Sequence, residues 1–223
     1  MINKNVLLIV AAGKGIRAES KIPKQYVKIH GKSILEITID NFLRINKFNK
    51  IQIVINKNDK NLFENEKFKN NKKIQVCFGG KERTNSVYLG LKALEKIKPK
   101  NVLIHDAVRP FTSKEIILNI IKELNNFDAI MPTIPISDAL WFKKGKKIKP
   151  KKNRENFLRA QTPQGFNFNK ILSAHKKNKK IYNDDIELAI CYGLSVGTII
   201  GSEDNFKVTT KYDFLRTERY LNC

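Results

Sequence analysis

Small residues and cations lie close together after the first apolar run of this chain of 223 residues. The apolar run covers residues 6–10, and four small residues follow it: Ala11, Ala12, Gly13 and Gly15. Small residues after a buried strand let backbone N–H groups approach a ligand, and glycine permits a tight turn. Three cations accompany them, Lys14, Arg17 and Lys24. Because free N–H groups and cations attract phosphate oxygens, this stretch predicts a site for several phosphates.

The same stretch partly matches two other glycine motifs. The spacing Gly13-x-Gly15-x-x-Ala18 fits a dinucleotide-binding turn, but Pro23 interrupts the long helix that such a turn needs. The run Gly31-Lys32-Ser33 resembles a Walker loop, but Tyr26 stands where the leading glycine belongs. An ordinary strand-to-helix turn stays open for the glycines taken alone, whereas the cations and the later motifs favour phosphate binding.

Polar motifs follow several further predicted strands. Residues 80–86 follow a strand predicted over 74–78, residues 106–109 follow one over 101–105, and residues 204–207 follow the last strand. In open α/β sheets, ligands bind beyond the carboxyl ends of the strands. We therefore expect these motifs and the glycine turn to form one site.

Three residues near the end of the fourth predicted strand have chemical potential. Asp106 can bind Mg²⁺ together with substrate phosphates, or it can cap a turn. Arg109 can bind a phosphate or form a structural ion pair. We interpret His105 as structural, because the sequence pairs it with no nucleophile. No Ser/His/Asp or Cys/His set is evident, so covalent catalysis is not expected.

The elements that must position these residues alternate between strand and helix, which is typical of one doubly wound, mainly parallel α/β sheet with helices on both faces. We predict a single Rossmann-like α/β domain over residues 1–223. Predicted strands cover 6–10, 51–55, 74–78, 101–105, 129–134 and 195–200. Predicted helices cover 34–43, 57–72 (poorly specified), 87–94 after caps at 84–86, 116–124 after Ser113, 168–174, 186–191 and 211–221 after Thr210.

Residues 136–160 interrupt this alternation. An apolar run, Leu140-Trp141-Phe142, precedes a lysine- and glycine-rich turn and then Ile148, which is the pattern of a protruding hairpin. A lone exposed hairpin is only marginally stable. We therefore predict that residues 136–160 form an arm that packs on a second subunit, giving a homodimer.

Composition limits the function classes. Hydrophobic residues make up 41% and charged residues 29%, as in soluble globular proteins, and no apolar run approaches the length of a membrane span. The 43 basic and 21 acidic residues give a net charge of +22, but the lysine runs have no interleaved aromatics, so we expect no nucleic-acid partner. Three widely spaced cysteines and no signal-peptide pattern predict a cytoplasmic protein with reduced thiols.

The motifs together resemble the 2-C-methyl-D-erythritol 4-phosphate cytidylyltransferase family of the non-mevalonate isoprenoid route. The resemblance extends over essentially the whole chain in order and implies that residues 1–223 form a single nucleotidyltransferase domain. The motifs that carry it are Ala11-Ala12-Gly13-x-Gly15-x-Arg17, Pro23-Lys24-Gln25-Tyr26, Gly79-Gly80-x-Glu82-Arg83-x-x-Ser86-Val87, His105-Asp106-Ala107-x-Arg109-Pro110, Thr162-Pro163-Gln164 and Asp204-Asn205-x-Lys207-Val208-Thr209.

This resemblance implies a reaction of CTP with methylerythritol phosphate that yields the cytidine diphospho product and pyrophosphate with Mg²⁺. It implies catalytic roles for Arg17, Lys24, Arg154 and Lys207. The residues implied to bind the nucleotide are Ala11, Ala12, Gly13, Gly15, Gly80, Ser86, Asp106 and Ala107. Asp106 would also hold the metal. The residues implied to bind the acceptor are Arg109, Asp138, Arg154 and Lys207, with Arg154 supplied by the partner's arm.

The sequence departs from the family pattern at several positions. Ala139 replaces a threonine in the arm, Asn183 replaces another threonine, and Lys81 replaces an acidic residue near the cytosine. These changes leave room for a related cytidylyltransferase that acts on ribitol 5-phosphate or another pentitol phosphate. A catalytically silent nucleotide- or nucleic-acid-binding protein is the remaining alternative. Arg159 competes with Arg154 as the arm's arginine, and a fused second domain is also compatible with the sequence.

Overall fold

The computed structural model describes residues 5–13, 22–150 and 154–222. Its strands, in chain order, are β1 Asn5–Ala11, β2 Lys28–Ile29, β3 Lys32–Ser33, β4 Lys50–Ile55, β5 Ile74–Phe78, β6 Asn101–Asp106, β7 Ala129–Pro135, β8 Trp141–Lys144, β9 Lys147–Pro150, β10 Leu158–Ala160, β11 Gln164–Asn167 and β12 Val196–Ile200. Its α-helices are α1 Ile34–Ile45, α2 Lys60–Glu64, α3 Arg83–Ala93, α4 Lys114–Glu123, α5 Phe168–Lys177, α6 Asp185–Cys191 and α7 Lys211–Leu221.

Eight of the strands form one central sheet. Seven lie in the order β10-β7-β11-β6-β1-β4-β5, and β12 pairs with β7. Strand β1 is parallel to both β4 and β6, β4 is parallel to β5, and β7 is parallel to β12. Only β10 and β11 run antiparallel to their neighbours. The predicted mainly parallel α/β fold is therefore confirmed.

Strand β1 shows why helices cover both faces of the sheet. Its residues Val6, Leu7, Leu8 and Ile9 are completely buried. Leu7 and Ile9 belong to the core cluster that includes residues of α1 and α4, whereas Val6 and Leu8 belong to the cluster that includes residues of α3, α5 and α6. Successive side chains of a strand point to opposite faces, so a continuous apolar run serves two cores.

The helix ends test the capping predictions. Ser113 accepts a hydrogen bond from the backbone of Ile116 at 3.2 Å, and Thr210 forms a capping box with Asp213, so both predicted caps are confirmed. The cap predicted at residues 84–86 is wrong, because α3 already begins at Arg83. Among the described residues, no helix has both the length and the apolar character that crossing a bilayer requires.

The segment predicted as one poorly specified helix over 57–72 is broken. Two 3-10 turns, over 57–59 and 67–70, flank the five-residue helix α2. Phe63 and Phe68 anchor the segment through an edge-to-face contact with centroids 5.5 Å apart. Two aromatic anchors hold this lysine- and asparagine-rich stretch on the core without a long helix.

A hairpin does protrude within residues 136–160, and it is shorter than that interval. Strands β8 and β9 pair antiparallel around Gly145, whose φ of +61° favours glycine. Trp141, Phe142 and Ile148 are each more than half exposed on this hairpin. Residues 158–160 instead form β10 and pair with β7 in the central sheet. The interval predicted as an arm therefore includes one strand of the central sheet.

Candidate active site

A cavity of about 690 Å³ opens at the carboxyl ends of β1, β4, β5 and β6. This is the edge at which parallel sheets present ligand sites. Nine of the predicted site residues lie on its wall: Ala11, Ala12, Gly13, Lys24, Gly80, Ser86, Asp106, Ala107 and Lys207. Gly15 and Arg17 fall outside the described residues. Arg109, Asp138 and Arg154 do not belong to the part of the wall that the described residues form.

Asp106 is the electrostatic centre of the cavity. Its Oδ2 lies 2.9 Å from Lys207 Nζ and 3.4 Å from Arg109 Nε, and its Oδ1 lies 3.9 Å from Arg83 Nε. Burial alone would raise the pKa of Asp106, but Lys207, Arg83 and Arg109 outweigh burial and hold this pKa far below its ordinary value. The carboxylate therefore stays charged and holds three cations beside it.

Lys24 and Gln25 connect the neighbouring loops to the cavity. Lys24 Nζ donates to the carbonyl oxygen of Val208 at 3.1 Å, next to Lys207 in sequence. The buried amide of Gln25 donates to the carbonyl oxygens of Ala11 at 2.8 Å and Gly13 at 3.0 Å. Gln25 thus fixes the chain where it leaves β1, a role that the sequence analysis did not assign.

Close packing shapes the wall between β5 and α3. A Cβ atom on Gly79 would lie 2.6 Å from Ser86 Oγ and 2.7 Å from the Cβ of Ala12, so only glycine fits there. Ser86 Oγ accepts a hydrogen bond from Gly80 N at 3.2 Å and donates to the carbonyl oxygen of Glu82 at 3.0 Å. The glycine pair and Ser86 are therefore held as one unit.

Arg109 is mainly held by protein groups. It contacts Asp106, and its NH1 donates to the carbonyl oxygen of Asn205 at 2.8 Å. The buried Asn205 in turn donates to the carbonyl oxygen of Thr162 at 2.9 Å and accepts from Thr112 at 2.9 Å. The ion pair with Asp106 fixes the guanidinium in place and is compatible with either role that the sequence left open for Arg109.

The arm residues lie apart from the cavity within one chain. Asp138 is exposed, and Arg154 NH1 donates to the carbonyl oxygen of Ser137 at 2.7 Å within the arm. Arg159, the competing arginine, forms an ion pair with Glu203. Neither Asp138 nor Arg154 is therefore among the described residues that line the cavity.

The sequence analysis assigned no site role to Arg83, one of several cations on the cavity wall. Arg83 lines the wall and donates to Asp185 Oδ2 at 2.6 Å. The motif around Gly80 contained Arg83, but its partner Asp185 lies 102 residues further along the chain. No local pattern could have revealed that pairing.

The side chains at the cavity limit how a metal ion could bind. Among the described residues, no group of three or more His, Cys, Asp or Glu side chains is placed to hold one. The wall carries two carboxylate residues, Glu82 and Asp106, and Mg²⁺ commonly uses only one or two protein carboxylates when substrate phosphates supply its other ligands. Asp106 fits that mode of binding and does not fit a site made of protein ligands alone.

Several known proteins are similar to this chain in sequence. A protein named 2-C-methyl-D-erythritol 4-phosphate cytidylyltransferase from Clostridium botulinum (strain Loch Maree / Type A3) is 40% identical over 227 residues, covering 99% of this chain and 98% of that protein. A bifunctional enzyme IspD/IspF of Wolbachia pipientis wMel is 39% identical over 214 residues. That match covers 94% of this chain and 54% of the Wolbachia protein, so the chain spans about half the length of this relative.

The same likeness extends to solved structures. The crystal structure of 4-diphosphocytidyl-2C-methyl-D-erythritol synthase from Anaerococcus prevotii DSM 20548 superposes with a TM-score of 0.84 at 28% identity. It covers 99% of this chain and 97% of that one. The family described as IspD, 2-C-methyl-D-erythritol 4-phosphate cytidylyltransferase, matches residues 5–223. The chain therefore belongs to the 2-C-methyl-D-erythritol 4-phosphate cytidylyltransferase family.

Proposed function

We propose that this protein joins CTP to 2-C-methyl-D-erythritol 4-phosphate, giving 4-diphosphocytidyl-2-C-methyl-D-erythritol and pyrophosphate, as a cytoplasmic enzyme of the non-mevalonate isoprenoid route. The observation that carries the proposal is the convergence of Lys24, Asp106 and Lys207 with the Gly80–Ser86 turn on one cavity, in a chain of this family. An oxygen of the acceptor phosphate bonds to the α-phosphorus of CTP, and the bond from that phosphorus to the pyrophosphate oxygen breaks.

The acceptor chemistry explains why cations dominate the cavity. A phosphate monoester is already largely ionised at neutral pH, so the reaction needs no general base. The remaining task is to align two polyanions and to neutralise their repulsion. Lys24 and Lys207 line the cavity wall, and we assign this task to them and to Arg17.

We assign the nucleoside to the side of the cavity formed by the ends of β1 and β5. Backbone groups of residues 11–13, Gly80 and Ala107, with the Ser86 hydroxyl, would hold cytosine and ribose, and Gly15 would continue the turn under the phosphates. The packing around Gly79 supports this assignment. Gly79 lies against Ser86 and Ala12 and has no side chain, which suits a wall that a flat base would lie against. Lys81 lines the same wall, where the family pattern has an acid.

Mg²⁺ is the cofactor that we propose, with Asp106 as its protein ligand. When bound, the ion would neutralise phosphate charge and orient the triphosphate. Lys207 and Arg109 already lie beside Asp106 Oδ2. These cations hold the carboxylate ionised, and a bound ion would share Asp106 with them.

We propose that the acceptor phosphate binds Lys207 and Arg109 on one subunit and Arg154 and Asp138 on the arm of its partner. Exposed apolar side chains on the arm support a homodimer. Trp141 is 58% exposed, and among the described strands β8 and β9 pair only with each other. Sedimentation velocity should give the mass of two chains, and removing the hairpin residues 140–150 should give one. No nucleic acid or membrane is part of this proposal.

A pyrophosphate-release assay tests the function. The protein is incubated with CTP, Mg²⁺ and either 2-C-methyl-D-erythritol 4-phosphate or ribitol 5-phosphate. Release with the first acceptor is the expected result. Release only with ribitol 5-phosphate would establish the pentitol alternative, with which Ala139 and Asn183 are compatible. CTP or nucleic-acid binding without turnover would favour a silent binding protein.

A further inference from the structure

Arg83 is held from outside the cavity by a carboxylate that does not line it. Arg83 is the first residue of α3, and its side chain is 27% exposed on the cavity wall. Its NH1 donates to Asp185 Oδ2 at 2.6 Å, while its Nε lies 3.9 Å from Asp106 Oδ1. The guanidinium therefore lies between a buried carboxylate behind it and the carboxylate at the centre of the cavity in front of it.

Asp185 is well suited to fix a cation. Its side chain is 2% exposed at the start of α6, and its Oδ1 lies 3.3 Å from Nε2 of the buried His175. Burial alone would raise the pKa of Asp185, but Arg83 and His175 outweigh it and lower this pKa. His175 stacks on Tyr88 of α3, with ring planes 12° apart. Asp185 is thus a charged, immobile anchor.

A second contact joins the same two segments. Thr84 Oγ1 donates to the carbonyl oxygen of Tyr182 at 2.8 Å, and the N–H of Tyr182 donates back to Thr84 Oγ1 at 3.0 Å. The first turn of α3 is therefore tied to residues 182–185 by a reciprocal hydrogen bond beside the ion pair. Such double attachment fixes the direction in which the Arg83 side chain leaves the helix.

We propose that Asp185 is a positioning residue for nucleotidyl transfer, which acts by aiming Arg83 at the phosphate or ribose oxygens of CTP beside Asp106. This inference rests on the proposed function. Arg83 touches the nucleotide, whereas Asp185 acts through Arg83 and meets no ligand atom. Arg83 donates to Asp185 through NH1, and its Nε lies 3.9 Å from Asp106 Oδ1. A guanidinium has five N–H donors, so the others can bind a ligand. The role depends on placement, because small errors in the position of a catalytic contact reduce rates strongly.

A double-mutant cycle distinguishes positioning from general stability. Asp185→Asn keeps the shape but removes the charge that holds Arg83. We expect kcat/KM for CTP to fall about 10- to 100-fold. In the background of Arg83→Met, which loses the same contact directly, Asp185→Asn should change kcat/KM by less than about twofold, because uncoupled sites add and coupled sites do not.

The control is the same chemical change in an ion pair away from the cavity. Asp128→Asn breaks the pair with Lys170 and should leave kcat/KM unchanged. If Asp185→Asn fails to fold, Asp185→Glu keeps the buried charge but displaces it, and kcat/KM should still fall at least about tenfold. Thermal unfolding of each variant reports folding separately from activity.

The outcomes separate this inference from the function itself. If the wild-type protein binds CTP by calorimetry but releases no pyrophosphate, the proposed function is contradicted. The double-mutant cycle of Asp185→Asn and Arg83→Met would then be measured with CTP affinities in place of kcat/KM. Equal losses from Asp185→Asn in the wild-type and Arg83→Met backgrounds would overturn the positioning role. So would an Asp185→Asn or Asp185→Glu protein within twofold of wild type.

Discussion

His105 Nδ1 lies 3.1 Å from Thr162 Oγ1, and the same hydroxyl oxygen accepts a hydrogen bond from the backbone N–H of Asp106 at 3.0 Å. Because the Thr162 oxygen accepts from Asp106, its own proton is free to go to His105 Nδ1. The carbonyl oxygen of Arg109 lies 3.0 Å from Nε2 and can only accept a hydrogen bond, so Nε2 carries the ring proton and donates to it. One neutral histidine thus joins both ends of the Asp106–Arg109 turn.

Removing the Thr162 hydroxyl should loosen that turn. Thr162→Val leaves the N–H of Asp106 and Nδ1 of His105 without their partner, so we expect a loss of about 1–3 kcal/mol in the free energy of unfolding. The kcat/KM for CTP should fall as well, since Asp106 moves with the turn. Urea unfolding and steady-state kinetics measure the two effects. Thr162→Ser is the control, because it keeps the hydroxyl, and similar losses in both variants would contradict the prediction.

Removing the Lys24 ammonium should slow the chemical step. We expect Lys24→Ala to lower kcat by about two orders of magnitude or more, the usual loss when a charge contact to the transition state is removed. Pyrophosphate release at saturating substrates gives kcat. Lys60→Ala, which removes an exposed lysine paired with Glu64, is the control and should match wild type. An unchanged kcat in Lys24→Ala would remove Lys24 from the mechanism.

A methyl group on Gly79 should disturb the nucleoside side of the cavity. The added Cβ would lie 2.6 Å from Ser86 Oγ and 2.7 Å from the Cβ of Ala12, so β5 or α3 must move. We expect Gly79→Ala to cost about 1–3 kcal/mol in the free energy of unfolding and to weaken CTP binding. A Cβ on Gly13 would meet none of the described residues within 4 Å, so Gly13→Ala should barely change the free energy of unfolding. Equal free energies of unfolding in urea for Gly79→Ala and Gly13→Ala would refute the steric argument.

The cap of α7 should contribute to stability only where Asp213 is ionised. Burial alone would raise the pKa of Asp213, but hydrogen bonds from Thr209 and Thr210 outweigh burial and lower this pKa below its ordinary value of 3.8. A depressed carboxyl pKa stabilises the fold above the ordinary pKa, and the contribution is lost as the pH falls through and below it. We expect Asp213→Asn to cost about 1 kcal/mol at pH 7.

Urea unfolding at several pH values tests this dependence. The difference in the free energy of unfolding between wild type and Asp213→Asn should shrink as the pH falls below about 4. Thr210→Ser keeps the capping hydroxyl and serves as the control at every pH. If this difference in the free energy of unfolding grows as the pH falls, the predicted direction of the pH dependence is wrong.

The sequence by itself determined the elements whose pattern is local. Strand β5 and helix α7 have the predicted bounds, because a short apolar run and a cap followed by an amphipathic stripe depend only on neighbouring residues. The edge at which Gly13, Gly80 and Asp106 meet followed as well, since parallel strands present their carboxyl ends together.

Only the tertiary structure decided the pairings between distant segments. The antiparallel strands β10 and β11 are three and four residues long, too short to show a period, and their place beside β7 and β6 comes from long-range hydrogen bonds. The partners of Arg83 and Gln25 were hidden for the same reason. A side chain's partner depends on how the whole chain folds back on itself, whereas local sequence sets only propensity and pattern.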